Sequence, residues 1–241
     1  MILLALDASA GMESAALMDD DRLLAARIWS GARASHARLF FDALRELLAE
    51  TGLPPDRLDV YAVGLGPGSF TGLRMALAAA QGMALPGNKP VYGLSSAAAA
   101  AAEIARETGR TRILVCGDGR RQRIWSGLFE ARDGLVEQAG DWRLDLFDAL
   151  PSILPPDGAL CTADWETLAG PLRDAVTPGA GTSLVERPVY PSAETLGRLV
   201  RERLNRGLPS LPLSPIYLHP PVFIPPSFVV EDEDTPAQEP A

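Results

Sequence analysis

Residues 58–85 constrain this chain more than any other stretch. An apolar run over residues 58–65 leads straight into Gly66-Pro67-Gly68-Ser69-Phe70-Thr71-Gly72, and helix-forming residues follow from Leu73 to about Leu85. A strand that feeds a glycine-rich turn and then a helix N-terminus is a physical anion site, because free N–H groups and the helix dipole favour negative charge. The same pattern serves equally as a tight turn that lets a helix pack closely. Known phosphate motifs do not fit it. A P-loop needs G-x-x-x-x-G-K-[ST], and the turn contains no lysine; G-x-G-x-x-G fails because Ser69 or Thr71 stands where the third glycine belongs. The helix over 73–85 is apolar nearly all round, with Gln81 the main interruption, so it is expected to be covered on both sides.

The rest of the chain supplies partners for this unit. Residues 2–8 form a short apolar run ending at Asp7-Ala8-Ser9, and two further strand candidates, residues 14–18 and 23–30, follow on short connections. That spacing predicts an antiparallel meander. Apolar residues then recur at three- and four-residue spacing through Ala37, Phe40, Phe41, Leu44, Leu47 and Leu48, which predicts an amphipathic helix over 35–50 stopped by Gly52. A strand at 91–94 and a helix from Ser95-Ser96 to about Thr108 complete a first unit over residues 1–108. A second unit, residues 109–230, opens with a strand ending at Asp118, echoing Asp7. Strands at 124–131 and 135–136 follow, with helices at 145–150, 165–174 and 193–205. Arg-Ile-Trp-Ser-Gly occurs at 27–31 and at 123–127, but at different distances from Asp7 and Asp118, so the match is read as chance. Seven prolines between 209 and 226 predict an extended segment packed on the body, and the acidic residues 231–241 are expected to be disordered.

Composition removes several classes of function. With 241 residues, 47% hydrophobic and 22% charged, and a mean hydropathy of +0.06, the chain is neither wholly disordered nor a fibrous rod. A net charge of −9 gives no overall electrostatic grip on nucleic acid. The tail carries −5 of that charge, so a local basic patch such as Arg120, Arg121 and Arg123 stays open as either a solvated turn or a phosphate contact. Two histidines, His36 and His219, and two cysteines, Cys116 and Cys161, are too few and too far apart for a metal site, and the low cysteine content suits a reducing cytoplasm. No basic leader precedes the first apolar run, and no run approaches the roughly 18 apolar residues of a membrane span. Ser69 lacks the flanking glycines of a nucleophile elbow. No catalytic residue is assigned. Asp7 and Ser9, at the end of the first strand, could orient a metal-bound water and donate to a phosphate, or could simply satisfy backbone groups in a turn.

Three segments together resemble the TsaB (YeaZ) family of tRNA threonylcarbamoyladenosine biosynthesis proteins. They are Leu4-Ala5-Leu6-Asp7-Ala8-Ser9, the 66–74 stretch with its trailing Ala80-Gln81-Gly82, and Val91-Tyr92-Gly93-Leu94-Ser95-Ser96. The likeness is close over residues 1–100 and patchy beyond, where Asp118-Gly119-Arg120 and Pro215-Ile216-Tyr217-Leu218 are similar to family positions. The resemblance implies an α/β fold of two duplicated actin-like (ribonuclease-H-like) lobes, each a mixed sheet with flanking helices. It also implies a non-catalytic accessory subunit of the transferase that modifies adenosine 37. Such a subunit pairs with the catalytic, metal-bearing TsaD, works with TsaE, and meets tRNA indirectly through the complex; a homodimer is the other pairing. TsaD holds its metal with two histidines on the helix corresponding to 35–50, where this chain has His36 alone and Phe40 one turn on. The pairing surface implied is that helix and the one at 72–85, with His36, Phe40, Leu44, Arg74 and Met75 as interface residues. No cofactor is required, and ATP or ADP at the partner interface would fall to Asp7, Ser9, Gly66, Gly68, Ser69 and Thr71. Gln122 and Arg123 stand where family members often carry an acid, and His219 replaces a common arginine. The alternative reading is an independent actin-like ATPase or kinase using Asp7, Asp118 and the 66–72 turn; a peptidase ranks below both.

Overall fold

The computed structural model describes residues 1–30, 36–176 and 181–218 of the chain. Five strands form the first sheet: β1 (Ile2–Asp7), β2 (Met12–Asp19), β3 (Arg22–Ser30), β4 (Val60–Gly64) and β5 (Val91–Leu94), in the order β3-β2-β1-β4-β5. The first three make the expected antiparallel meander, while β4 runs parallel to β1 and β5 parallel to β4. The second sheet contains β6 (Arg112–Asp118), β7 (Arg123–Arg132), β8 (Leu135–Gln138), β9 (Arg143–Leu146), β10 (Ala159–Thr162) and β11 (Ser183–Pro188). Its order is β11-β10-β6-β7-β8, with β9 also paired to β7. Strand for strand the two sheets share one topology: a central strand flanked by an antiparallel pair on one side and two parallel strands on the other. The duplication hinted at by Asp7 and Asp118 is therefore real, and each aspartate ends the central strand of its sheet. Residues 27–30 of the first copy of the pentapeptide fall on β3 and the second copy on β7, which are not equivalent strands, in keeping with the reading of the match as chance.

The central strands explain their own sequences. Leu3 and Ala5 of β1 face one core layer while Leu4 and Leu6 face another, so both sides of the strand are dry and the run is continuously apolar. In β6, Ile113 and Val115 face the middle layer and Leu114 and Cys116 the far side. Helices α1 (His36–Thr51) and α2 (Phe70–Ala84) cover the outer face of the first sheet. Between the sheets lie α3 (Ser96–Thr108) and α5 (Ala193–Asn205), and α4 (Trp165–Ala175) covers the far face of the second sheet. A helix enclosed between two sheets needs small side chains, and Ala97 to Ala101 of α3 are all buried.

Several expectations change. Helix α2 begins three residues earlier than its apolar pattern, because Ser69 accepts a hydrogen bond from the Gly72 amide at 3.2 Å and caps it. It is also not covered on both sides within the described residues: Phe70, Arg74, Ala78, Gln81 and Gly82 stand outward. Residues 145–150 are not a helix of α type but the end of β9 and part of a 3-10 turn, Phe147–Ile153, that contains Pro151. Strands β10 and β11 have no counterpart in the sequence pattern, because four or six residues without clear alternation carry little periodic signal. The chain after α5 returns to the first sheet. Leu211 bridges to Gly93 of β5, Tyr92 donates to the carbonyls of Leu208 and Pro209, and the Ile216 amide donates to Leu65 at 2.8 Å. This extended segment covers the β5 edge that would otherwise be open. Residues 219–241, including His219 and the acidic tail, lie outside the described residues.

Candidate functional site

The 66–72 turn, the β1–β2 turn and the start of α3 meet at one point. The Asp7 carboxylate is fully buried; its Oδ1 accepts from the Ser9 amide at 2.9 Å and the Ser9 hydroxyl at 2.6 Å. Burial pushes the Asp7 carboxyl above its ordinary value, with the hydrogen bonds of Ser9 and the dipole of Ser96 opposing it. The Ser9 carbonyl accepts from the Ser69 amide at 2.7 Å, which ties the glycine-rich turn to the end of β1. Ser95 and Ser96 fasten the other side. The Ser95 hydroxyl and the Ser96 amide both donate to the Gly66 carbonyl at 2.9 Å, and the Gly66 amide donates to the Ser96 hydroxyl at 3.0 Å.

This arrangement bears on the two readings of the turn. The amides of Gly66, Ser69 and Gly72 already have acceptors inside the protein, which leaves those of Gly68, Phe70 and Thr71 as the donors an anion would meet. The glycines are explained by approach. A Cβ on Gly68 would stand 2.0 Å from the Ser9 carbonyl oxygen, and one on Gly72 2.0 Å from that of Ala8. These two glycines let α2 seat on the end of β1. Ser69 is half-buried and Thr71 exposed, so of the six residues expected at a nucleotide, Asp7, Ser9 and Gly66 are enclosed and Gly68, Ser69 and Thr71 reach the surface. Asp118 repeats the detail in the second lobe. Its Oδ1 accepts from the amide two residues on, that of Arg120, at 2.8 Å, just as Asp7 does from Ser9.

The residues expected at a pairing surface divide. Phe40 and Leu44 are buried in the core beneath α1, against Trp29 and the first sheet, and do not offer an outward face. Met75 is half-buried against the same core. The described backbone of α1 begins at His36, whose side chain lies outside the described residues. Arg74 is exposed; its guanidinium sits 3.8 Å from the Phe70 ring centroid and donates to the Tyr217 hydroxyl at 2.8 Å. The outward apolar residues are others: Leu39 (37% exposed) and Phe41 (52%) on α1, and Phe70 (54%) and Leu85 (79%) at the two ends of α2. The helical period held the clue to Phe41. With Phe40, Leu44 and Leu47 turned inward, the next residue after Phe40 points about 100° away from that face. Tyr217 gave no such signal, since its stacking on Phe70 at 5.2 Å comes from a residue 147 positions away in sequence.

Among the described residues no group of three His, Cys, Asp or Glu side chains is placed to hold a metal, and no helix is long and apolar enough to cross a membrane. Cys116 and Cys161 are both free and face opposite sides of the second sheet, in different core layers. A groove of about 1000 Å³ lies away from Asp7, between α3, α5 and the β7–β8 hairpin.

Two duplicated lobes with mixed sheets, joined through a shared helical layer, define a protein of the actin-like class. Residues 30–164 match the family model described as "TsaD: tRNA N6-adenosine threonylcarbamoyltransferase". The chain is 28% identical over 198 residues to the tRNA threonylcarbamoyladenosine biosynthesis protein TsaB of Bacillus subtilis, covering 82% of this chain and 79% of that one. It is 35% identical over 226 residues to an uncharacterised protein of Mycobacterium leprae, covering 91% of this chain and 55% of that one. It spans about half the length of the Escherichia coli and Haemophilus influenzae TsaB proteins it matches (56% and 52%). Among solved structures it is similar to YeaZ from Pseudomonas aeruginosa, with a TM-score of 0.73 and 28% identity over 90% of this chain and 100% of that one. The chain belongs to the TsaB/YeaZ family.

Proposed function

We propose that this chain serves tRNA threonylcarbamoyladenosine biosynthesis as an accessory subunit without chemistry of its own. It pairs with the catalytic TsaD through the outer faces of α1 and α2 and works alongside TsaE in the cytoplasm. The observation that carries the pairing is the outward set Leu39, Phe41, Phe70 and Leu85 along α1 and the two ends of α2, on the outer side of the first sheet. Large apolar side chains left outward on these two helices favour a protein partner. The ATPase alternative has less support, because the Asp7 carboxylate is enclosed and three amides of the glycine-rich turn are already used.

The test is light scattering on a sizing column, for the chain alone and mixed with TsaD of the same organism. A stable one-to-one pair is the expected result, weakened by Phe41→Asp. Separate elution of the two proteins with and without ATP overturns the reading. ATP hydrolysis by the isolated chain that disappears in Asp7→Ala would favour the alternative.

A further inference from the structure

The turn between β6 and β7 places arginine where backbone geometry favours glycine. Arg120, Arg121 and Gln122 have φ values of 59°, 50° and 60°, three consecutive left-handed residues, none of them glycine. In that region each Cβ crowds the following carbonyl, a penalty that glycine escapes and asparagine or aspartate bears more easily. The surroundings hold the shape. Asp118 accepts from the Arg120 amide at 2.8 Å, the Gly119 amide donates to the Arg123 carbonyl at 2.8 Å, and Asp164 accepts from the Asp118 amide at 2.8 Å.

The side chains of this turn are exposed from Arg120 to Arg123. Arg120 pairs with Asp118 at 3.3 Å, but the guanidinium groups of Arg121 and Arg123 have no ion-pair or hydrogen-bond partner among the described residues. The nearby Asp145, on the β9 strand paired to β7, is taken by Arg143 at 2.7 Å. Two uncompensated guanidinium groups therefore stand on a braced turn of a chain whose net charge is −9. A turn kept only for solubility explains the exposure and not the strain, since Gly, Asn or Asp would serve there at lower conformational cost.

We propose that Arg121 and Arg123, presented by this strained turn, contact the phosphodiester backbone of a structured RNA. A guanidinium matches two phosphate oxygens with parallel N–H donors, and such contacts orient a nucleic acid without reading its sequence. The acidity of the rest of the chain makes this a local contact that adds to a partner's grip. The choice of RNA as the polyanion rests on the tRNA-modification reading above; the geometry of the turn does not.

The experiment is fluorescence anisotropy with an unmodified tRNA transcript of the same organism, titrated with the chain alone and with its assembled TsaD pair, between about 50 and 200 mM salt. R121A/R123A should weaken binding and reduce the slope of log K against log salt by about 1.5, at roughly 0.7–0.9 per lost phosphate contact. Elution with TsaD and the unfolding midpoint should stay unchanged. Arg121→Gly should also weaken RNA binding while its unfolding midpoint is equal or higher. If the pair assembles and both variants bind RNA as the wild type does, the RNA contact is overturned and the pairing stands. If TsaD does not pair but the isolated chain loses RNA binding in R121A/R123A, the pairing is overturned and the contact stands. Absence of measurable RNA binding by the wild type in both forms also overturns the contact.

Discussion

Asp7 occupies the space that a side chain on Gly64 would take: a Cβ there would lie 1.9 Å from Asp7 Oδ2 and 2.5 Å from the Ser96 hydroxyl. The carboxylate is thus packed between two strands of one sheet and the start of a helix. Oδ2 has no hydrogen-bond partner among the described residues, while Oδ1 has two from Ser9. A buried charge held on one side only is a strained component of the fold.

Asp7→Asn should reveal this through pH. The folded-state value of Asp7 is raised from 3.8, burial being the main cause and the charge of Glu13 a lesser one. The folded state therefore holds this proton more tightly than the unfolded state. Its contribution to stability is fully present below about pH 3.8 and is lost as pH rises through the raised value. Asp7→Asn has no proton to lose, so its unfolding midpoint should gain on the wild type between pH 4 and 8. A difference that stays constant across that range would contradict the assignment.

Gly68→Ala and Gly72→Ala should each destabilise the chain by about 1–3 kcal/mol, the usual penalty for forcing a methyl into a packed site. Denaturant unfolding measures this directly. Gly82→Ala is the control, because nothing lies within 4 Å of its Cβ position, and it should be neutral or slightly stabilising.

Phe40→Asp and Phe41→Asp are neighbours with opposite consequences. Phe40 is fully buried, so its charged variant should lose more than about 4 kcal/mol and fail to fold well. Phe41 is 52% exposed, and its variant should keep its unfolding midpoint within about 0.5 kcal/mol of wild type while losing the partner. Circular dichroism and co-elution with TsaD separate the two effects.

Cys116 and Cys161 should resist thiol reagents in the native state. Both are fully buried, and burial raises the Cys116 thiol and pushes Cys161 up to about 12, so neither supplies thiolate at neutral pH. Labelling should follow global unfolding in urea, with both thiols reacting together. Rapid labelling of either thiol in buffer would show that the second sheet opens locally.

The sequence by itself determined the elements whose pattern repeats on a short scale. The meander, the helix at 36–51, the strand at 91–94 and the alanine helix at 96–108 are legible because alternation and the 3.6-residue period are local properties. Asp7 and Asp118 could be paired as an echo for the same reason, since each ends a run that is apolar on both faces. Tertiary structure decided what those residues do. Gly68 and Gly72 are held to glycine by what stands opposite, the carbonyls of Ser9 and Ala8 from about 60 residues away. Phe40 and Phe41 look alike in a list of apolar residues, yet the sheet beneath α1 takes one and leaves the other in water. The strain at Arg120, Arg121 and Gln122 has no sequence signature at all, because arginine and glutamine enter the left-handed region only when the strands on either side force the turn.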